Sequence, residues 1–156
     1  MASTISGATM TVTIQEAVTI NGKPQGNTNT NTYANIRECN RRIVTVPTVE
    51  KEILAIHASA PGAGTFVETD TRYIRITNKD DTNHVTLTFK SAGNHEFAIK
   101  LDATQTFIFQ GDNEDGMESI MDASASALTV SLADLVNITA LANSSSVDLE
   151  IFVAQE

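Results

Sequence analysis

Several residue types are scarce in this chain, and each scarcity removes a class of protein. Tryptophan is absent, aromatic residues make up 5% of the 156 residues, and tyrosine occurs only at Tyr33 and Tyr73. Few rings are therefore available to build a sugar-binding platform. Cys39 is the only cysteine, which excludes an intrachain disulfide. Because no histidine or second cysteine lies beside it in the sequence, we interpret Cys39 as a buried, unreactive thiol.

Long apolar runs are also lacking. No window approaches the roughly 20 apolar residues that a membrane-spanning helix needs. Residues 1–10 lack the basic and apolar regions of a secretory signal. The sequence therefore predicts a protein that is made in the cytoplasm and has no membrane partner.

Positive charge is scarce as well. The chain has 10 Lys and Arg residues against 19 Asp and Glu, a net charge of −9. A nucleic-acid partner requires a basic stripe that neutralises phosphates, and the nearest approach to one is Arg37, Arg41 and Arg42. We expect no nucleic-acid partner. These arginines are either the solvated side of a strand or contacts for an acidic partner.

What the chain does have is the alternation of a half-buried β-strand. Apolar residues alternate with polar ones in residues 73–77 and again in residues 85–89, a period of two. The polar run 78–83 between them is rich in Asn and Asp, which favour turns. The sequence predicts a β-hairpin here, and its apolar face requires a second sheet to cover it.

The same alternation recurs along the whole chain and predicts about ten short strands. Residues 50–57 fit a short helix or a strand buried on both faces, and we favour the strand. The other predicted strands lie at residues 9–14, 18–20, 33–46, 97–101, 106–110, 128–132, 136–142 and 147–153, the last two as a closing hairpin, with loops or turns at 61–64 and 66–70.

This spacing predicts an all-β fold, an antiparallel β-sandwich that resembles a jelly roll. We expect one domain over residues 1–156, with a flexible N-terminal arm at 1–8 and a polar loop at 21–32. That loop begins with Asn21 and Gly22, which together form a strong turn signal.

No catalytic motif stands out in the sequence. The Gly-x-Ser-x-Gly nucleophile elbow is absent. His57, His84 and His95 lack the spacing of a helical metal site, although His84 and His95 approach each other if their strands pair. We predict no catalytic residue, no cofactor and no enzymatic activity. The alternative is a hydrolase on a β scaffold. A pocket in which a Ser or Cys side chain is hydrogen-bonded to one of these histidines supports that alternative.

The acidic loop at residues 111–116, with the sequence GDNEDG, is the best candidate for an inorganic ligand. Clustered carboxylates suit calcium, and glycine permits a sharp bend around an ion. The EF-hand spacing and its distal Glu are missing, however, so we predict a solvated turn and no resident metal.

The strand patterns of the chain resemble those of small virion structural proteins of tailed phages, especially marine and cyanobacterial ones. The resemblance lies in residues 41–48, 71–78, 85–89, 96–101, 106–109 and 147–154, which read RRIVTVPT, TRYIRITN, VTLTF, EFAIKL, TFIF and VDLEIFVA. It covers most of the chain from about Arg41 onward and carries no catalytic signature.

The resemblance implies a capsid decoration (cement) protein that stabilises a phage head through contacts between subunits. Its expected partners are the major capsid protein and itself, as a homotrimer, and its expected location is the capsid surface of the virion. The alternatives are a tail, fibre or baseplate component, or a carbohydrate- or receptor-binding β-sandwich module. From the residues, we expect the contacts at 1–7, at 23–31, at 111–116 and at the three arginines.

Overall fold

The computed structural model describes residues 5–59, 65–121 and 132–156, which contain thirteen strands and no helix. The strands are β1 Ala8–Gln15, β2 Thr19–Ile20, β3 Lys23–Pro24, β4 Thr28–Ile36, β5 Glu38–Val46, β6 Lys51–His57, β7 Thr65–Val67, β8 Thr71–Asn78, β9 Val85–Ser91, β10 Glu96–Leu101, β11 Thr106–Gln110, β12 Leu135–Ala142 and β13 Val147–Gln155. The predicted all-β fold is confirmed. The described residues include no apolar helix of membrane-spanning length.

Two sheets form the body of the molecule. The four-stranded sheet has the order β11-β8-β13-β5, and the five-stranded sheet has the order β10-β9-β12-β6-β7. All neighbours are antiparallel except β6 and β7, which are parallel. Because successive strands repeatedly change sheets, the topology is that of a jelly-roll sandwich.

The alternating apolar residues fill the space between the two sheets. Ile74, Ile76, Leu87 and Phe89 are completely buried there, as the period of two requires. The ring of Phe89 stacks on Phe97 with centroids 4.8 Å apart. The Phe89 ring also contacts Phe107 of the four-stranded sheet, with centroids 4.9 Å apart. Aromatic contacts add to the energy gained by burial, so this one helps to hold the two sheets face to face.

Both predicted hairpins are wrong in their pairing, although their strands are correct. β8 pairs with β11 and β13, whereas β9 lies in the other sheet and pairs with β10 and β12. In the same way β12 and β13 belong to different sheets. Residues 79–84 and 143–146 therefore cross between the sheets. Alternation fixes which face of a strand is buried, but it does not specify the neighbouring strand.

Other local expectations had mixed outcomes. The strand at 50–57 is confirmed as β6, in which Ile53 and Leu54 are both buried, and β5 ends at Val46 directly before Pro47. The loop expected at 66–70 is wrong in part, since β7 pairs with β6. The turn at 61–64 and the strand at 128–132 lie outside the described residues, apart from Leu132.

The N-terminal part of the chain forms a long two-stranded ribbon. β1 pairs with β4 from Gln15 and Thr28 down to Ala8 and Ile36, and the small β2–β3 pair closes its far end. Asn21 and Gly22 both have positive φ, 50° and 76°, which fits the predicted Asn-Gly turn. The polar loop expected at 21–32 is thus wrong over most of its length. Residues 1–4 lie outside the described residues.

Candidate functional site

The base of the ribbon packs on the outer face of the four-stranded sheet. Tyr33 and Ile36 of β4 are buried against Tyr73 and Ala154. The rings of Tyr33 and Tyr73 lie 6.2 Å apart, and burial raises the pKa of both phenols. The ribbon base and the sheet therefore share a second, smaller apolar core, completed by Met10, Val12, Ile108 and Phe152.

The contacts of β4 show the direction in which the ribbon runs. Next to its inner end, the amide of Arg37 donates to the carbonyl of Gln155 in β13. Tyr33 then lies against β8, and the Asn31 side chain donates to Gln110 Oε1 of β11 at 3.0 Å. The ribbon crosses the sheet from β13 over β8 to β11. Its far half therefore continues beyond the edge formed by β11.

The far half of the ribbon, which we call the tip, spans residues 13–30, and every residue in it is exposed. Three apolar side chains lie there: Ile14 is 37% exposed, Val18 48% and Ile20 56%. A two-stranded ribbon is marginally stable alone in water. Three exposed apolar residues within positions 14–20 make this segment a candidate surface for binding another protein.

Among the described residues, the four-stranded sheet has an edge strand on each side with no second strand partner. Within the described part of the chain, β5 pairs only with β13 and β11 pairs only with β8. Neither strand contains a proline, and Ile43 of β5 is 65% exposed. We call the outer sides of β5 and β11 the free edges. An unpaired edge offers a row of backbone donors and acceptors to another strand.

A charge cluster lies on the outer face of the same sheet. Glu150 of β13 is 6% exposed and accepts hydrogen bonds from Arg41 of β5 and, at 2.7 Å, from Arg75 of β8. These two bonds lower the pKa of Glu150 to about 2. The guanidinium of Arg75 also lies 5.9 Å from the centre of the Phe152 ring. Glu150 thereby ties three of the four strands together.

The three arginines singled out in the sequence have different environments. Arg37 is exposed, and the structure gives its side chain no ion pair within the described residues. Arg41 has a side chain that is 69% exposed despite its bond to Glu150. Arg42 instead turns inward and donates to the carbonyl of Ile53 in the other sheet. The expectation of a solvated side chain is thus wrong for Arg42, whose hydrogen bond joins β5 of one sheet to β6 of the other.

The acidic loop is a tight turn, bridged by Asp112 and Gly116. One oxygen of Asp112 accepts the backbone N–H groups of Glu114 and Asp115, and these bonds lower the pKa of its carboxyl group. Glu114 and Asp115 are exposed. Within the described ranges, no group of three His, Cys, Asp or Glu side chains has the arrangement of a metal site. The loop therefore presents carboxylates to solvent.

One cavity of about 400 Å³ lies in the five-stranded sheet, between β6, β12 and the segment after β7. Glu52, Glu68, Asp134 and Asn137 line it together with His57. Burial raises the pKa of the Glu68 carboxyl group, Asp134 and Glu118 raise it further, and His57 opposes them. Among the described residues no Ser or Cys side chain bonds a histidine ring. Within the described residues the cavity therefore shows no Ser–His or Cys–His pair of the kind that hydrolases with a covalent intermediate use.

The remaining sequence candidates are separated in the structure. β9 and β10 do pair, but Leu101 lies opposite Val85 and Glu96 opposite Lys90. His84 and His95 are therefore at opposite ends of this hairpin, roughly 20 Å apart at 3.3 Å per residue. Cys39 is exposed, so the prediction of a buried thiol is wrong. It lies on the outward side of an edge strand, where alternation alone does not produce burial.

Sequence reasoning missed three features of this region. The role of Glu150 is not evident from the sequence, because a single Glu on the polar face of a strand is expected to be exposed to solvent. Ile14 follows the alternation of residues 9–14, TMTVTI, which predicts one covered face, so nothing in the sequence indicates its exposure. In residues 42–46, RIVTV, the adjacent Ile43 and Val44 lie on opposite faces of the strand, which is the signal that one of the two is outside the core.

No family model and no curated protein matches the chain. A solved structure titled "Bacillus endospore appendages form a novel family of disulfide-linked pili" aligns with a TM-score of 0.40 and 11% sequence identity, over 99% of this chain and 95% of that chain. A likeness at this level carries no argument about function.

Proposed function

We propose that this chain is a non-enzymatic structural subunit that acts by binding other proteins in an assembly. The observation behind the proposal is the ribbon, whose base packs on the body while its tip is exposed throughout residues 13–30. Ordering an extended element costs conformational entropy, and the tip gains little burial in return within one chain. A partner that covers Ile14, Val18 and Ile20 supplies the missing burial.

The particular assembly that we propose is a phage virion, with the chain as a decoration protein on the capsid surface. This step rests on the strand patterns that resemble small virion proteins of tailed phages. The free edges and the tip support it, because a decoration protein needs contacts with several neighbours at once. The acidic loop and the exposed Arg37 and Arg41 add charged groups of both signs for such contacts.

Two other functions have less support. A hydrolase is disfavoured by the cavity beside Glu68, which lacks a bonded nucleophile among the described residues. A sugar-binding module needs exposed aromatic rings, and both tyrosines are instead buried at the ribbon base, Tyr33 at 4% and Tyr73 at 5% exposure. A tail or fibre component uses the same kinds of surface as a capsid protein, and only the location of the chain distinguishes them.

Immunogold electron microscopy tests the proposal. Antibodies raised against the recombinant chain are applied to intact phage particles from cells that express its gene. The proposal predicts label distributed over the head. Label confined to the tail or fibres supports the alternative location, and particles that contain none of the chain by mass spectrometry contradict a virion role.

A further inference from the structure

We propose that this chain binds a second copy of itself head to tail, with the free edge of β5 in one copy against the free edge of β11 in the next. The tip of the second copy then lies over the outer face of the first copy's four-stranded sheet. This inference rests on the proposed structural role and names the partner and the surface of that role.

Strand direction favours this contact. β11 is antiparallel to β8, β8 to β13, and β13 to β5, so β5 and β11 run in opposite directions at the two edges. A neighbour in the same orientation therefore presents β11 antiparallel to β5. The four-stranded sheets of successive copies then form one continuous antiparallel sheet, the more stable of the two pairing modes.

A symmetric contact between two β5 edges is less favourable. Full overlap of two antiparallel copies of Glu38–Val46 places Arg42 opposite Arg42 and Arg41 opposite Ile43. Like charges directly opposite each other destabilise a strand pair. The head-to-tail contact avoids this, because β11 has the uncharged sequence TFIFQ.

The two free edges also complement each other in charge. The strand register places Cys39 of β5 and Gln110 of β11 in the same row across the sheet, and Ile43 and Thr106 in another row. A neighbour at the same level places the exposed Arg37 beside the loop that follows β11. Glu114 and Asp115 of that loop are exposed, so opposite charges meet at this end of the contact.

The course of the ribbon adds a second layer to the contact. The tip projects past β11, which is the edge that the neighbour occupies. From Asn31 to the turn at Gly22 the chain spans at most roughly 30 Å at 3.3 Å per residue, while strands lie about 4.8 Å apart. The tip is therefore long enough to cover the outer face of β5 in the neighbour, where Ile43 is 65% exposed.

As far as the described residues show, the five-stranded sheet offers no equivalent pair of edges. Its edge strands are β10 and β7, and β7 has only three residues. A head-to-tail contact through this sheet has few backbone bonds to form. The assembly therefore grows through the four-stranded sheet, either as a closed ring or as an open filament.

Sedimentation velocity of the intact chain and two variants tests the inference, from about 1 to about 100 μM. Ile43→Asp blocks the β5 side, because it places a carboxylate in the apolar contact. The second variant removes the tip by replacing residues 16–27 with Asn-Gly between the paired Gln15 and Thr28. The intact chain is expected to associate, and each variant alone to associate about tenfold more weakly or not at all.

Mixing the two variants separates a head-to-tail contact from a symmetric one. Ile43→Asp keeps its tip, and the variant without a tip keeps its β5 edge, so a one-to-one mixture is expected to form a heterodimer. Leu141→Asp, on the other sheet and 39% exposed, is the control and should associate like the intact chain. Thermal melting of each variant verifies that its body is folded.

Three results overturn the inference: an intact chain that is monomeric at the highest concentration, a mixture that associates no more strongly than either variant alone, or a tip-deleted variant that associates as strongly as the intact chain. Failure here is distinct from failure of the proposed function. A monomer that still labels phage heads leaves the virion role standing, whereas an oligomer absent from particles supports self-association and contradicts that role.

Discussion

Glu150 shows how a single residue stabilises the outer face of the four-stranded sheet. Its carboxylate is almost fully covered and holds one guanidinium from each neighbouring strand, Arg41 and Arg75. Charge-assisted bonds of this kind favour the ionised form and lower the pKa, here to about 2 from an ordinary value of 4.5. Stability should therefore depend on pH through this one group.

We predict that Glu150→Gln lowers the melting temperature at neutral pH and reduces the acid sensitivity of the protein. Since the folded pKa lies below the unfolded one, the stabilisation is complete above about pH 4.5 and is lost as the pH falls towards about 2. Thermal melts across this window measure the effect. Glu96→Gln, 61% exposed and 3.9 Å from Lys90, is the control. Equal acid sensitivity of the Glu150 variant and the intact chain contradicts the assignment.

For single residues, the sequence predicts whether a side chain is buried better than it predicts which residues that side chain contacts. Ile74 and Leu87 are buried as their alternation indicates. Arg42 and Cys39 are not where we expected them, although the period of two places Arg42 on the inward face with Val44 and Val46 and Cys39 on the outward face. An edge strand is covered on one side only, and a single sequence does not reveal which strands are edges.

Of the secondary-structure elements, the ribbon differs most from what the sequence predicts. Its polar residues indicated a loop at 21–32, whereas β4 occupies Thr28–Ile36. Thr and Asn in β4 form backbone ladder bonds with β1 without needing a buried face. The turn at Asn21 and Gly22 was predictable because it depends on local chemistry, but the length of the ribbon depends on pairing that alternation does not encode.

We predict that Gly26→Ala loosens the tip and leaves the body intact. A β-carbon at this position collides with the carbonyl oxygen of Glu16, next to the bond from the Glu16 amide to Asn27. Amide exchange of residues 16 and 25 should accelerate, while the free energy of unfolding of the body changes by less than about 0.5 kcal/mol. Gly93→Ala is the control, because the nearest atom to a β-carbon added in this exposed turn is Nδ1 of the His95 side chain at 3.3 Å, which can move aside.

A loss of body stability by more than about 2 kcal/mol in the Gly26 variant contradicts this prediction. That result means that tip and body unfold as one cooperative unit. The exposed apolar side chains of the tip then need no partner to explain their order.

For the whole molecule, composition and alternation were sufficient to predict a β-sandwich, and insufficient to predict its topology. The loops at 79–84 and 143–146 read as hairpin turns, yet each joins one sheet to the other. Turn residues mark where a strand ends, and tertiary packing decides where the next one goes. The free edges and the direction of the ribbon follow from this topology, so the candidate interaction surface was accessible only from the structure.

The central claim is that the edges of the four-stranded sheet and the ribbon tip bind another copy of the chain. Hydrogen–deuterium exchange at about 1 and about 100 μM tests it directly. The account predicts slower exchange at the higher concentration in Glu38–Val46, Thr106–Gln110 and residues 15–28, with no change in the edge strand Glu96–Leu101 of the other sheet. Exchange that is independent of concentration in the first three segments, or protection confined to Glu96–Leu101, contradicts the account.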